Sequence, residues 1–523
     1  MSVSGLNPSE AVDRAAWPGA RDRGSIARSA GAGNSLQTAC ATTFVFVIPF
    51  TLLFRLILFH FYVRGSFLYD TGLLASLMYH SGSALTLPPS LGGLSFFSYH
   101  AAPLLLLVSA ASYHLPLSMP QLFASFIGLS HGLLALAMFW LLVSGYGMRH
   151  GRALALAAVT AIAFACNGLA LDIARFPHFE IFAAASLLVF FVALVLQRLP
   201  IAIASFVLAL ATREDVGLHA FGFLTVWAAL NWYRLVPWRQ SAWIIGFALA
   251  GLAWSAAALL LQHHAFPGAS AFLRVYPGDP PFAHLSADLV LTRVFGWLWL
   301  HVAIFAPAAA TLVWAERARN PYIIAGYVAC LPWAVLHLLA ASPLAGWMVG
   351  YYAYPFLLAM AWPWLAVLIG NRQERAPVAG KLRPAGGLLA MVALSLLPLG
   401  HHYDPGRIDL PEAFLRVPSA ARQAATEDGV SAIIAMRPAL GRLVVDNSVA
   451  ALRPLAFSQP EVAGWAHAPA DTVVFFTAGF DAARLRDAPG MPGRYLVPGT
   501  ELRIATNRPD STMRELGFVR EPP

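Results

Sequence analysis

The sequence predicts a mainly α, polytopic helical membrane protein with a small α/β domain at its C-terminal end, on three observations. Apolar residues form 58% of the 523-residue chain and charged ones 11%, with a mean hydropathy of +0.64; soluble domains run closer to half and a quarter. Apolar runs recur at about the 20 residues that a helix needs to cross a hydrocarbon core about 30 Å thick. After residue 400 the composition changes to that of a soluble domain.

About eleven membrane segments are expected, at residues 41–63, 117–143, 153–171, 179–197, 201–212, 216–233, 241–261, 293–314, 322–341, 353–370 and 385–400. The fifth is too short to cross, and the sixth begins directly after Arg213, Glu214 and Asp215. A half-helix ending inside the protein explains both, because broken backbone and charge are tolerated at membrane depth only against a polar cavity. Residues 1–40, Gly/Ser/Ala-rich with Arg14, Arg21, Arg23 and Arg28, read as a disordered cytoplasmic tail ahead of a signal anchor.

A net charge of +8 could suggest nucleic acid, but the basic residues stand as ones and twos between apolar runs, where they set topology. Up to residue 400, alternating the segments from a cytoplasmic N-terminus places most arginines inside and leaves Arg64, Arg175, Arg213, Arg274 and Arg293 in the outside loops. The acids fall the other way, with Asp70, Asp172, Glu180, Glu214, Asp215, Asp279 and Asp288 external. Cys40, Cys166 and Cys330 lie in or beside apolar runs, which argues against a disulfide framework or a thiolate metal site.

Residues 401–523 alternate strand-like runs ("VSAIIAM", "RLVVDN", "DTVVFF", "RYLVPGTELRIA") with helix-like ones ("PEAFLRVPSAARQAA", "GFDAARLRD", "DSTMREL"). They form the expected extracytoplasmic α/β domain, with no phosphate-binding glycine loop.

The first external loop, residues 64–116, holds the first acid of the membrane region and is expected to lie on the membrane surface as short amphipathic helices roofing a cavity. Asp70 is the prime catalytic candidate: a carboxylate at a cavity mouth can act as a general base or hold a divalent cation against a phosphate. The competing reading makes it a helix N-cap. In "LDIARFPHFEIF", Asp172, Arg175, His178 and Glu180 share one turn that could bind phosphate or metal. Asp172 and Arg175 also suit an ordinary polar loop. His178 and Glu180 start an apolar helix, where an unpaired charge costs about 2 to 3 kcal/mol.

Arg213, Glu214 and Asp215 interrupt apolar sequence on both sides, and intramembrane charge points to a functional site. An ion pair between Arg213 and one acid is the competing structural reading. Tyr351 and Tyr352 also suit an interfacial aromatic belt, and His263, His264, His284 and Asp288 lack metal-ligand spacing and read as surface residues.

Four blocks resemble a bacterial family of polytopic membrane proteins catalogued as a domain of unknown function, itself similar to the GT-C class of membrane glycosyltransferases. "YDTGLLASLMYHSG" from Tyr69 resembles the family's Asp-Leu-Gly loop. "SYHAAPLLLL" from Ser98 resembles its Asp-His-Phe-Ser-Pro block, with Tyr99 where an acid is usual. "FPHFE" from Phe176 is similar to its Phe-His-Pro-Glu turn, and "ATREDVGL" from Ala211 to its Lys-Glu-Asp break, with Arg213 for lysine. The likeness continues through "GYYAYPFLL" from Gly350, where the family often has His-Tyr.

The resemblance implies transfer of a sugar from a polyprenyl-phosphate donor to an acceptor at the external face. Asp70 would take the acceptor's proton, Arg213 with His100 or His178 would stabilise the departing phosphate, and Glu180, Glu214 and Asp215 would orient those groups or hold a cation. Tyr351 and Tyr352 join the substrate-binding residues. A transporter or lipid-handling protein without catalysis is the alternative, since a broken helix carrying charge suits it equally; no inverted repeat favours it.

Overall fold

A computed structural model describes residues 32–64, 69–87, 94–267, 275–348, 350–374, 383–396, 415–458, 461–462, 469–477 and 490–522. Most of the expected tail, "GFDAARLRD" and the start of "PEAFLRV" lie outside the described residues.

Helices fall on every expected segment. In chain order they are α1 (Ala32–Phe59), α2 (Tyr69–Met78), α3 (Pro103–Ser112), α4 (Met119–Trp140), α5 (Gly151–Ala165), α6 (Gly168–Arg175), α7 (Ile181–Val195) and α8 (Leu199–Leu210). After them come α9 (Val216–Tyr233), α10 (Trp238–Ala265), α11 (Ala287–Leu300), α12 (Val302–Ala318), α13 (Ala325–Leu338), α14 (Pro355–Glu374) and α15 (Arg383–Leu396). Their starts follow local chemistry. Proline opens α3 and lies in the first turn of α4 and α8, where its missing N–H costs nothing. The Asn167 side chain accepts the Ala170 N–H at 3.0 Å and so restarts the chain as α6 after α5 ends.

The eleven segments are not eleven equal spans. Among the described residues four helical stretches, Leu36–Val63, Met119–Gly145, Gly151–Arg175 and Ser241–Ala265, are long and apolar enough to cross, or six if each of two bent pairs counts as one. One bent pair is α11 with α12, meeting at 80°; the other joins Pro343–Ala353 to Pro355–Gly370 at 45°. Helices α7, α8 and α13 and the apolar part of α15 are shorter, too short to cross alone at 1.5 Å per residue.

Helix α7 explains one such case. Its residues are apolar on all sides and almost all buried, packed against α4, α8 and α14, so protein rather than lipid surrounds it. The outward faces of α10 and α11 instead expose Leu260, Leu261, Phe295 and Trp299, as lipid contact requires.

Beyond α15, helices α16 (Ala420–Ala435), α17 (Asn447–Leu452) and α18 (Asp510–Glu515) accompany strands β1 (Leu443–Val445), β2 (Thr472–Phe476), β3 (Gly493–Leu496), β4 (Leu502–Thr506) and β5 (Val519–Arg520). The sheet order is β1-β2-β4-β3-β5, with β1 parallel to β2 and the other pairs antiparallel. "VSAIIAM" corrects the sequence reading: it is the last part of α16, not a strand. Gln423, Thr426, Val430 and Ile433 are buried at three- and four-residue spacing, so the helical period outweighs the local β propensity.

The α/β unit packs on the membrane helices. Helix α17, buried along its whole length, lies on α2, and a Cβ at Gly72 would stand 2.3 Å from the Ala451 Cα. The Tyr62 hydroxyl donates to Glu427 Oε1 at 2.6 Å, and Gln121 Nε2 to Gln423 Oε1 at 3.1 Å. The unit therefore sits at the end of the helices that carries Asp70.

Candidate active site

The break between α8 and α9 is where the backbone leaves its helix, and each loose end finds a partner. The Ala211 carbonyl at the end of α8 accepts the Leu104 N–H at 2.8 Å, which joins the break to the start of α3. The Ser255 hydroxyl of α10 donates to the Glu214 carbonyl. A Cβ on Gly217 would come within 2.1 Å of the Gly251 carbonyl oxygen, so α9 and α10 cross backbone to backbone.

Arg213, Glu214 and Asp215 are all buried. Arg213 Nε donates to Asp215 Oδ1 at 2.8 Å, Nη2 donates to Asp215 Oδ2, and Nη1 donates to Glu180 Oε1 at 2.7 Å. The ion pair weighed for Arg213 is thus present, with both acids at once. Glu214 turns elsewhere: Oε1 lies 2.8 Å from His100 Nδ1, and Oε2 accepts the Ala101 N–H at 2.8 Å. His178 lies face to face with Tyr351, centroids 3.7 Å apart at 8°. Its Nδ1 is 3.2 Å from Glu180 Oε2, but off the hydrogen-bond direction, and both atoms are buried without a hydrogen bond.

Tyr351 and Tyr352, centroids 4.2 Å apart, are wall residues of a cavity of about 500 Å³ that His100, Arg213, Glu214 and Asp215 also line. Apolar side chains of α9 and α13, among them Leu218, Phe221, Val328 and Pro332, make up much of the remaining wall. Three residues of this site escaped the sequence reading. His219 lies one turn after Asp215, with Nε2 3.8 Å from Asp215 Oδ2, a spacing that could have marked it. Tyr276 and Trp333 also line the cavity; no sequence pattern marks them.

Asp70 is exposed and is the second residue of α2, so it does not occupy the N-cap position. Its neighbour Thr71 donates to the Pro177 carbonyl at 3.5 Å, beside His178 in the chain, and Asp70 is not among the residues that line the cavity. Asp172 and Arg175 pair with each other at 3.6 Å instead. His263 and His264 are exposed at the end of α10, and His284 bonds the Leu339 carbonyl at 3.0 Å. Among the described residues no three His, Cys, Asp or Glu side chains are arranged to hold a metal ion.

No protein-family profile matches the chain, and no curated protein does; the resemblance of the four blocks stays at the level of short motifs. A solved structure of ArnT from Cupriavidus metallidurans bound to undecaprenyl phosphate matches 92% of this chain and 99% of that one. The identity is 14% and the TM-score 0.43, a loose likeness that leaves the reading of the site to its own geometry.

Proposed function

We propose that this chain is a GT-C-like integral membrane glycosyltransferase that moves a sugar from a polyprenyl-phosphate donor to an acceptor at the external face of the bacterial inner membrane. Its N-terminus is then cytoplasmic and its α/β unit external. One observation carries the reading: a cavity walled both by buried charged side chains and by apolar helix surface. A ligand suited to it has a polar, charged head and an apolar tail.

Asp70 serves as the base. With no hydrogen bond or ion pair to the described residues, its carboxylate is free to take the acceptor's proton. The acceptor oxygen then bonds the anomeric carbon, and the bonding pair of the breaking C–O bond leaves on the lipid phosphate. His100, set by Glu214, lines the cavity and stabilises the negative charge that develops there. Arg213 is held by Asp215 and Glu180 and supports the break as a unit.

The test is transfer by the reconstituted full chain from a panel of polyprenyl-phosphate sugars. Asp70→Asn is expected to abolish transfer with melting unchanged. Near-normal transfer by that variant removes Asp70 as base, and lipid binding without transfer from any donor favours the lipid-handling alternative.

A further inference from the structure

The fixed charges of the break do not suit an anion. One guanidinium stands against the carboxylates of Glu180, Glu214 and Asp215, and its Nε and both terminal nitrogens already donate to two of them. A phosphate entering the cavity meets an excess of negative charge unless imidazoles bring protons. Each acid has one beside it: His178 at 3.2 Å from Glu180, His100 at 2.8 Å from Glu214, and His219 at 3.8 Å from Asp215.

The three imidazoles are not equivalent. His178 is covered by the Tyr351 ring, and His219 stands edge-on to Trp333 at 4.5 Å with its side chain 6% exposed. The His100 side chain is 30% exposed and lines the cavity. Its Nδ1 is engaged by a carboxylate that the Ala101 N–H fixes in turn, while its Nε2 makes no hydrogen bond to the described residues. We infer that His100, oriented by Glu214, is the group through which this cavity binds an anionic phosphate ester, and that binding the ester takes up a proton on His100.

The inference rests on the reading that a lipid phosphate enters this cavity. In the empty site His100 Nδ1 rests 2.8 Å from Glu214 Oε1. In the filled site the imidazolium keeps that bond and donates Nε2–H to a phosphate oxygen. Sharing the cavity wall with it are Arg213, Glu214 and Asp215 of the break and His219 of α9; behind Arg213 lies Glu180, ahead of α7, with His178 beside it. Tyr276 ahead of α11 and Tyr351 and Tyr352 ahead of α14 complete the surroundings. Of these residue types only imidazole ordinarily changes charge between pH 6 and 8. Binding favours the protonated ring, so affinity is full at the acid end of that range and falls as pH rises.

The test uses the full chain in detergent with farnesyl methyl phosphate, a diester whose single charge stays constant from pH 6 to 8, and uncharged farnesol as control. Wild-type affinity for the diester is expected to fall by up to about tenfold per pH unit, with uptake of about one proton by calorimetry in two buffers. Farnesol binding stays level. His100→Gln binds the diester weakly and without pH dependence while melting as wild type; His178→Gln and His219→Gln keep the slope. A pH-independent affinity, a slope that survives in His100→Gln, or the same slope for farnesol overturns the inference. No diester binding at any pH removes both this subsite and the lipid-phosphate reading. Proton-linked binding without transfer from any donor removes the transferase alone.

Discussion

Arg213 reaches Glu180 across the gap between α8 and α7: Nη1 stands 2.7 Å from Oε1 while Nε holds Asp215 at 2.8 Å. Removing one partner from a buried ion pair leaves the others uncompensated, at a cost of about 3 to 5 kcal/mol. Arg213→Met is therefore expected to lower the melting temperature of the detergent-solubilised protein sharply. A Glu180→Gln, Asp215→Asn background should recover part of the loss, because the carboxylates no longer repel each other. Wild-type melting by Arg213→Met would show that the three side chains are not a mutually dependent unit.

The α9–α10 crossing makes a second prediction. A methyl at Gly217 has no room against the Gly251 carbonyl, so Gly217→Ala must push the helices apart, at about 1 to 3 kcal/mol for overpacking. Gly246 of the same α10 helix has open space, and Gly246→Ala is the control, expected to melt as wild type or slightly above it. Equal melting of the two variants would refute the close approach.

Contact between α2 and α17 predicts what holds the α/β unit in place. Gly72→Val drives a side chain into the Ala451 backbone and is expected to expose the C-terminal region to limited proteolysis. The unit ties down the helix that carries Asp70, so transfer should decline with it. An unchanged digestion pattern would mean that Tyr62, Gln121 and their partners suffice to hold the unit.

A pH prediction follows from Asp471, whose carboxylate accepts the Arg442 N–H at 2.9 Å and also faces the side chains of Asn507 and Arg508. The Arg442 backbone bond, first, and then the Asn507 side chain hold its carboxyl below the usual carboxylate range. A depressed folded-state value means stability present above the unfolded value, near 3.9, and lost as pH falls through the folded one. Melting of the full chain between pH 5 and 3 should thus fall less steeply for Asp471→Asn than for wild type. Parallel curves would remove Asp471 as a contributor.

Topology supplies the last prediction. The α/β unit sits at the Asp70 end of the helices, so reporter fusions at the C-terminus and in residues 88–93 should report the same side of the membrane. The arginine asymmetry predicts that this side is the external one. Opposite sides for the two fusions would contradict the docking of α17 on α2.

Much of this protein was legible in its sequence because hydropathy is a local property. A window of apolar residues needs no partner to demand burial, so the apolar helices could be placed from composition though not which of them cross, and three consecutive ionisable residues between apolar runs marked the α8–α9 break on cost alone. The same cost singled out His178 and Glu180 at the start of an apolar helix, whereas His100 came from the resemblance of "SYHAAPLLLL" alone. It could not say which acid Arg213 would choose, because Asp215 is two residues away and Glu180 thirty-three, and only the crossing of the helices brings both within reach. Tyr276, Trp333 and His219 joined the site for the same reason, and "VSAIIAM" became helix through burial of α16. Tertiary structure decided these points because pairing, stacking and docking depend on distances between segments far apart in the chain, set by close contacts such as Gly217 on Gly251 and Gly72 on Ala451.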